Sequence, residues 1–263
     1  MARRKAGRCK VRSLWLGIPA VLLLVTPFIT LLAITPWSTF QLAWGDGHAV
    51  ATSLAMSAVA VPLIIAAGLP LALWLSRTSS RWRGAVEVAV LVPLLTPPLA
   101  MGILLVSVFG PYGSLGEVLA TLGVSLNNNA GAFIIAQFYG GLPWFVVAAR
   151  AAFEQVSVDI EEAGQTLGAT AWQIFWRLTL PQAARGLAAA LALTWGRVIG
   201  EFGIVLVFSY FPQGIPVKLF INLQNDGVDA VYSLLWLLLL VTLPLPLWCV
   251  MRAGRNRTGM GHS

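Results

Sequence analysis

Two ionisable side chains stand inside an otherwise apolar run. Arg197 and Glu201 lie four residues apart in Ala192–Gly203, so a helix places both on one face. If this run crosses a bilayer, a charge at its centre costs about 2.5–3.5 kcal/mol on insertion scales, and pairing offsets part of that. Two readings stand side by side. The pair neutralises itself and pins helix packing, or its face, continued by Phe202 and Gly203, lines a pathway or a dimer interface where charge meets water. Gly196, Gly200 and Gly203 favour close helix approach nearby. Other chemistry is sparse. Cys9 and Cys249 are far apart with no metal-ligand spacing, and His48 and His262 are isolated. No nucleophile or acid–base constellation stands out, so an enzyme is not expected. No Gly-x4-Gly-Lys-[Ser/Thr] loop is present to cradle nucleotide phosphates.

The elements that must position these residues are set by composition. The chain has 263 residues, 58% hydrophobic and 10% charged. A soluble domain keeps about a quarter of its residues charged. Here the apolar residues come in runs of about 20, the length that spans a hydrocarbon core. The reading is all-α and integral to a membrane, with six spans: Leu14–Thr35, Ala49–Ser76, Val86–Phe109, Ala130–Ala149, Leu187–Phe208 and Val231–Met251. The first is longer than a secretory h-region and lacks a small-x-small cleavage site, so a retained helix is expected. Prolines interrupt the second span at Pro62 and Pro70, and the third at Pro93, Pro97 and Pro98. Neighbouring helices must satisfy the freed backbone there.

Net charge is +7, but there is no contiguous basic domain with interleaved aromatics, so no nucleic-acid partner is expected. The basic residues alternate with the spans instead. Fifteen of the seventeen fall in the 1–13 tail, the second–third connection, the 150–185 loop and the 252–263 tail. The positive-inside rule then puts both termini in the cytoplasm and 14–251 in the membrane domain. Only Lys218 lies outside, in a segment from Ser209 to Ala230 that could form a short helix or re-entrant piece.

The 150–185 loop is long for a compact bundle, and long loops tend to be functional. Asp159 is placed to cap a short helix, with Glu161 and Glu162 in its first turn. Ala163 and Leu167 share a face, and Gly168 permits a tight turn. Thr170 can cap a second helix, with Ile174, Phe175 and Leu178 on its apolar face and Trp172 and Trp176 stacked at i, i+4. Pro181 is expected to stop it before the fifth span. Such a pair could dock a partner or lie on lipid headgroups.

Glu162-Ala163-Gly164, three residues, Gly168, nine residues, then Leu178-Thr179-Leu180-Pro181 resembles the EAA loop of ABC-importer permeases. The family pattern has Ala where Gly164 stands and Ile where Leu178 stands. Val92–Leu105, Phe109-Gly110, Gly113–Gly116 and Ala192–Gly203 are similar to molybdate/tungstate permeases, and parts are shared with sulfate, polyamine and iron permeases. After Gly203 the likeness weakens.

The resemblance implies a type I ABC-importer permease in a bacterial or archaeal cell membrane. It implies that Glu162, Ala163, Gly164, Leu167, Gly168, Ala169, Trp172, Leu180 and Pro181 dock a cytoplasmic ABC ATPase subunit. That subunit would hold ATP and magnesium, and this chain no cofactor. A solute-binding protein would dock on the other side and a second copy would complete a homodimer. Arg197, Glu201, Phe202 and Gly203 would sit at the pathway or gate. The rival is a secondary transporter needing no ATPase, which predicts more ionisable residues within spans and inverted repeats. One pair and no defensible repeat are present.

Overall fold

Apolar runs in lipid must satisfy their backbone groups internally, and helices do so within one segment. The computed structural model describes residues 3–249 and 251, with side chains from Gly17 onward apart from Thr39. The 252–263 tail, with its three arginines, lies outside the described residues, as do the basic side chains of the N-terminal tail. Twelve helices follow one another among the described residues: α1 Arg3–Ile34, α2 Asp46–Arg77, α3 Arg83–Leu95, α4 Pro98–Phe109, α5 Gly116–Thr121, α6 Ala130–Glu154, α7 Val158–Thr166, α8 Ala171–Ile174, α9 Leu180–Ile199, α10 Gly203–Phe208, α11 Ile215–Asp226 and α12 Tyr232–Thr242. A π-helical turn at Phe175–Thr179 joins α8 to α9. Five segments are long and apolar enough to cross a membrane, or six if the bent pair α3–α4 is counted as one span. The all-α membrane reading holds, with five to six candidate spans.

The centre of the bundle is α2, α6 and α9, where Ile64, Leu75, Phe145, Val146, Phe153 and Val198 are buried together. Lipid is as apolar as leucine, so this association rests on close packing rather than on escape from water. Gly141 shows how close. A Cβ there would stand 2.6 Å from Val198 Cγ2 and 2.7 Å from Ile64 Cδ1. The glycines expected to serve this purpose on α9 do not. Gly196 has open space beside it, and Gly200 faces only the Gly196 carbonyl. Those two are on the wrong side of the helix. α1 packs at the periphery, with Leu23 76% exposed. Trp236 Nε1 donates to Thr35 Oγ1 at 2.9 Å, tying the end of α1 to α12.

Two spans expected to be continuous are broken. The third bends by 110° between α3 and α4. Pro97 and Pro98 have no N–H, and a residue before proline is pushed out of the helical region. Thr96 accordingly sits at φ −71°, ψ 128°. The fifth breaks at Gly200-Glu201-Phe202, so α9 ends and the short α10 begins. The half-helices α4 and α10 pack on each other. A Cβ on Gly203 would stand 2.6 Å from Pro98 Cβ, and one on Gly102 would stand 2.9 Å from Val207 Cβ. Around them Met101, Leu105, Phe133, Ile204, Val205 and Phe208 form a second core.

The segment 209–230 contains α11, the short helix anticipated there. Ile215 N–H donates to Ser53 Oγ at 2.8 Å, and Asn222 Nδ2 donates to Asp46 Oδ1 at 3.1 Å. Both bonds are buried and fasten α11 to the first half of α2.

Candidate functional site: a helical elbow and a broken span

The elbow is built by short-range signals. α7 begins after Ser157, not at a cap supplied by Asp159. Asp159 instead stands in the first turn, accepting from Ser157 Oγ at 3.1 Å. Its carboxylate still favours the helix N-terminus through the dipole. Gly168, at φ +82°, makes the turn after α7 in the left-handed region that glycine tolerates best. Thr170 then caps α8 with a full capping box. Its Oγ1 accepts from Gln173 N–H, and Gln173 Oε1 accepts from Thr170 N–H.

Pro181 does not stop this helix. The chain stays helical from Ala171 to Ile199, with Pro181 in the first turn of α9. A proline is tolerated where a helical segment starts anew, and the π-turn before it supplies that restart. The elbow therefore continues directly into the fifth span.

Two faces result. Gly164 is buried beneath the second helix, where a Cβ would stand 2.9 Å from Leu178 Cδ1 and 3.3 Å from Ile174 Cγ1. On the other side Glu162 and Ala163 are exposed, Leu167 is 89% exposed and Trp172 is 70% exposed. Trp172 and Trp176 meet edge to face at 5.4 Å, as their spacing predicts. Gly168 and Pro181 are exposed, and Ala169 and Leu180 are half-buried. An open face carrying exposed Leu167 and Trp172, on a helix pair whose second member is fully capped, is the kind of surface that marks an interaction site.

The neighbouring acid behaves differently, and the sequence reading gave it no role beyond the first turn. Glu161 turns inward. Arg77 Nε donates to its Oε2 at 2.9 Å and Arg77 Nη2 to its Oε1 at 2.9 Å. Thr179 Oγ1 also donates to Oε1, at 2.7 Å. Burial pushes the Glu161 carboxyl up, but the hydrogen bonds from Arg77 and Thr179 and the guanidinium charge outweigh it, and the net shift is downward. A second network ties α3 to α6, in which Glu87 contacts Arg83 at 2.9 Å and Arg150 at 2.8 Å, and Arg150 contacts Glu154 at 2.7 Å.

At the break in the fifth span, Arg197 and Glu201 are brought together as expected, but not on one continuous helix. Arg197 occupies the last turn of α9, and Glu201 lies past the Gly200 cap. Their Nη1 and Oε2 are 2.5 Å apart. Glu201 Oε1 accepts the Ile204 N–H at 2.9 Å, capping α10. A cation at one helix end and an anion at the next helix start both complement the backbone dipoles. Glu201 is 2% exposed, and Gly140 of α6 makes room for it, since a Cβ there would stand 2.8 Å from Oε2. Beside it Gln137 Nε2 donates to Ser57 Oγ at 2.8 Å and to Val198 O at 3.2 Å. Gln137 Oε1 is buried without a hydrogen-bond partner among the described residues. The rings of Phe202 and Phe220 of α11 meet at a tilt with centroids 5.3 Å apart, and Gly203 is the contact with α4. No group of side chains among the described residues could hold a metal ion.

This is a multi-pass membrane protein of the transport class: a bundle with two broken spans in contact and a helical elbow running into one of them. The chain belongs to the family of binding-protein-dependent transport system inner membrane components, matched over residues 64–253. It is similar to a protein of Haloferax volcanii named as a probable molybdenum ABC transporter permease, 36% identical over 70% of this chain and 67% of that one. It is also similar to the molybdenum transport system permease protein ModB of Mycobacterium tuberculosis, 30% identical over 86% of this chain and 89% of that one. Its fold is that of a chain in a bacterial alginate ABC transporter solved with an alginate pentasaccharide-bound periplasmic protein. The TM-score is 0.74 at 19% identity, covering 97% of this chain and 98% of that one.

Proposed function

We propose that this chain forms the translocation path of an ATP-driven importer for a small tetrahedral oxyanion, molybdate or tungstate. The observation that carries the importer reading is the elbow. Its open face carries the exposed apolar side chains of Leu167 and Trp172 beside Glu162 and Ala163, and its second helix continues through the π-turn into a span. A cytoplasmic ATPase subunit seated there would bind the ATP and magnesium. Closure of two such subunits on ATP would move the elbows of a homodimer, and the path would open toward a solute-binding protein on the outer face. Hydrolysis would reset it. Both termini would then be cytoplasmic.

Arg197, Glu201, Phe202 and Gly203 form the gate in this reading, because they sit where a span is already interrupted and α10 meets α4. The molybdate assignment rests on relatives named for molybdenum transport at 30–36% identity, not on a substrate contact in this chain.

Leu167→Asp tests the docking. The side chain is 89% exposed, so folding stability should change by less than about 0.5 kcal/mol. Co-purification of the ATPase subunit should be lost. A Leu167→Asp chain that holds its ATPase as wild type does would remove the elbow from the docking site. Uptake of molybdate against sulfate competitor tests the substrate.

A further inference from the structure

Between α2 and the elbow lies a cavity of about 480 Å³, bordered by Trp74, Ile174 and Phe175 among others. The Arg77 guanidinium bridges it. Besides the two bonds to Glu161, its Nη2 donates to Val156 O at 3.2 Å, in the link between α6 and α7. Arg77 is the last residue of α2, and Thr179 is the last of the π-turn. One carboxylate therefore joins the end of α2, the first elbow helix and the root of α9. Each bond is charge-assisted, and the Arg–Glu pair is bidentate, the geometry that adds direction as well as strength.

We propose that Arg77, Glu161 and Thr179 are positioning residues that make the elbow and α2 move as one body. The inference rests on the importer reading. A displacement of α7 by the ATPase would reach the membrane by two routes. One is covalent, through α8 and the π-turn into α9. The other is this clamp, which delivers the same displacement to α2, a helix packed along both α6 and α9. Glu161 is thus given a different task from its neighbour Glu162: one acid faces inward to transmit, the other outward to dock.

The clamp is read by a distance and by a yield. In a Cys9→Ser, Cys249→Ala background, spin labels at Gln165→Cys in α7 and Ser79→Cys just past α2 report the separation of the two bodies. In the assembled complex with its ATPase and binding protein, the wild-type separation should be narrow and unchanged by ATP. Glu161→Gln and Thr179→Val should broaden it, and Arg77→Lys, which keeps the charge, should broaden it less. Molybdate transported per ATP hydrolysed should fall about five-fold or more in Glu161→Gln, the lower end of ordinary coupling energies. ATP hydrolysis itself should stay within about two-fold, because the docking face is untouched. A role confined to stability would lower the amount of complex, not the transport yield per ATP. A wild-type separation that shifts on ATP overturns the proposal, as does a Glu161→Gln complex equal to wild type in both separation and yield. Failure of the wild-type complex to move molybdate would count against the importer or substrate reading alone, since the label separations still report on the clamp.

Discussion

Glu201→Gln changes one charge and almost no volume, and it isolates what the carboxylate does at the break in the fifth span. The amide oxygen can still accept the Ile204 N–H, so the cap on α10 survives. The ion pair with Arg197 is what disappears. Orphaning one member of a fully buried pair costs about 3–5 kcal/mol. The Arg197 side chain retains 26% of its exposure, so part of its charge is still solvated. The loss should then be that of a charged hydrogen bond, about 1.5–3 kcal/mol. If the gate reading holds and the pair forms in one gate state only, then at about 1.4 kcal/mol per factor of ten the balance between states shifts by about ten-fold or more. Molybdate uptake by proteoliposomes carrying the full complex should fall accordingly, with the amount inserted in the membrane unchanged. Glu201→Ala also strips the cap, worth about 1 kcal/mol more, and should lower thermal stability further. Undiminished uptake by normally inserted Glu201→Gln would refute the gate role and leave the pair as a packing device.

Gly141→Val should overpack the α2–α6–α9 centre, where even a Cβ meets Val198 at 2.6 Å. The expected cost is about 1–3 kcal/mol, read as a lower thermal midpoint in detergent. Gly164→Ala should be tolerated, because the atom it would meet is the free end of Leu178. Uptake should stay within about two-fold of wild type, and a collapse of ATPase binding would contradict this. The Glu161 carboxyl is held below its ordinary value of 4.5, so its contribution is present above that pH and is lost as pH falls through the depressed value. The group is partly solvated, so the contribution is at most about 1 kcal/mol. The stability gap between wild type and Glu161→Gln should therefore hold from pH 7 to about 5 and close toward pH 3, measured by thermal unfolding.

What was legible in the sequence was local. Gly168 and Thr170 announce their turn and cap because both effects act within four residues. The spans announce themselves because the bilayer tests each segment separately. The errors also have local causes. Asp159 is a good capping type, but Ser157 is where the backbone turns. Pro181 reads as a stop unless the π-turn before it is known. Pro97-Pro98 gave a visible warning, but neither the size of the bend nor the packing of α4 on α10 is written there. Pairwise placement was beyond the sequence. Nothing in Glu161-Glu162 says which acid meets Arg77, which lies 84 residues earlier. Gly140 and Gly141 carry no mark in the sequence of the Glu201, Val198 and Ile64 side chains that lie against them.

The joint at Thr96-Pro97-Pro98 carries a mechanical implication. Two successive imide nitrogens have no hydrogen to give, so a swing of α4 about this point surrenders no ladder bond there. Thr96 N–H is already spent on Val92 O and Met101 N–H on Pro97 O, one on each side. A pivot of this kind breaks no backbone bond at the two prolines, so the joint can turn while the helices on either side keep their ladders.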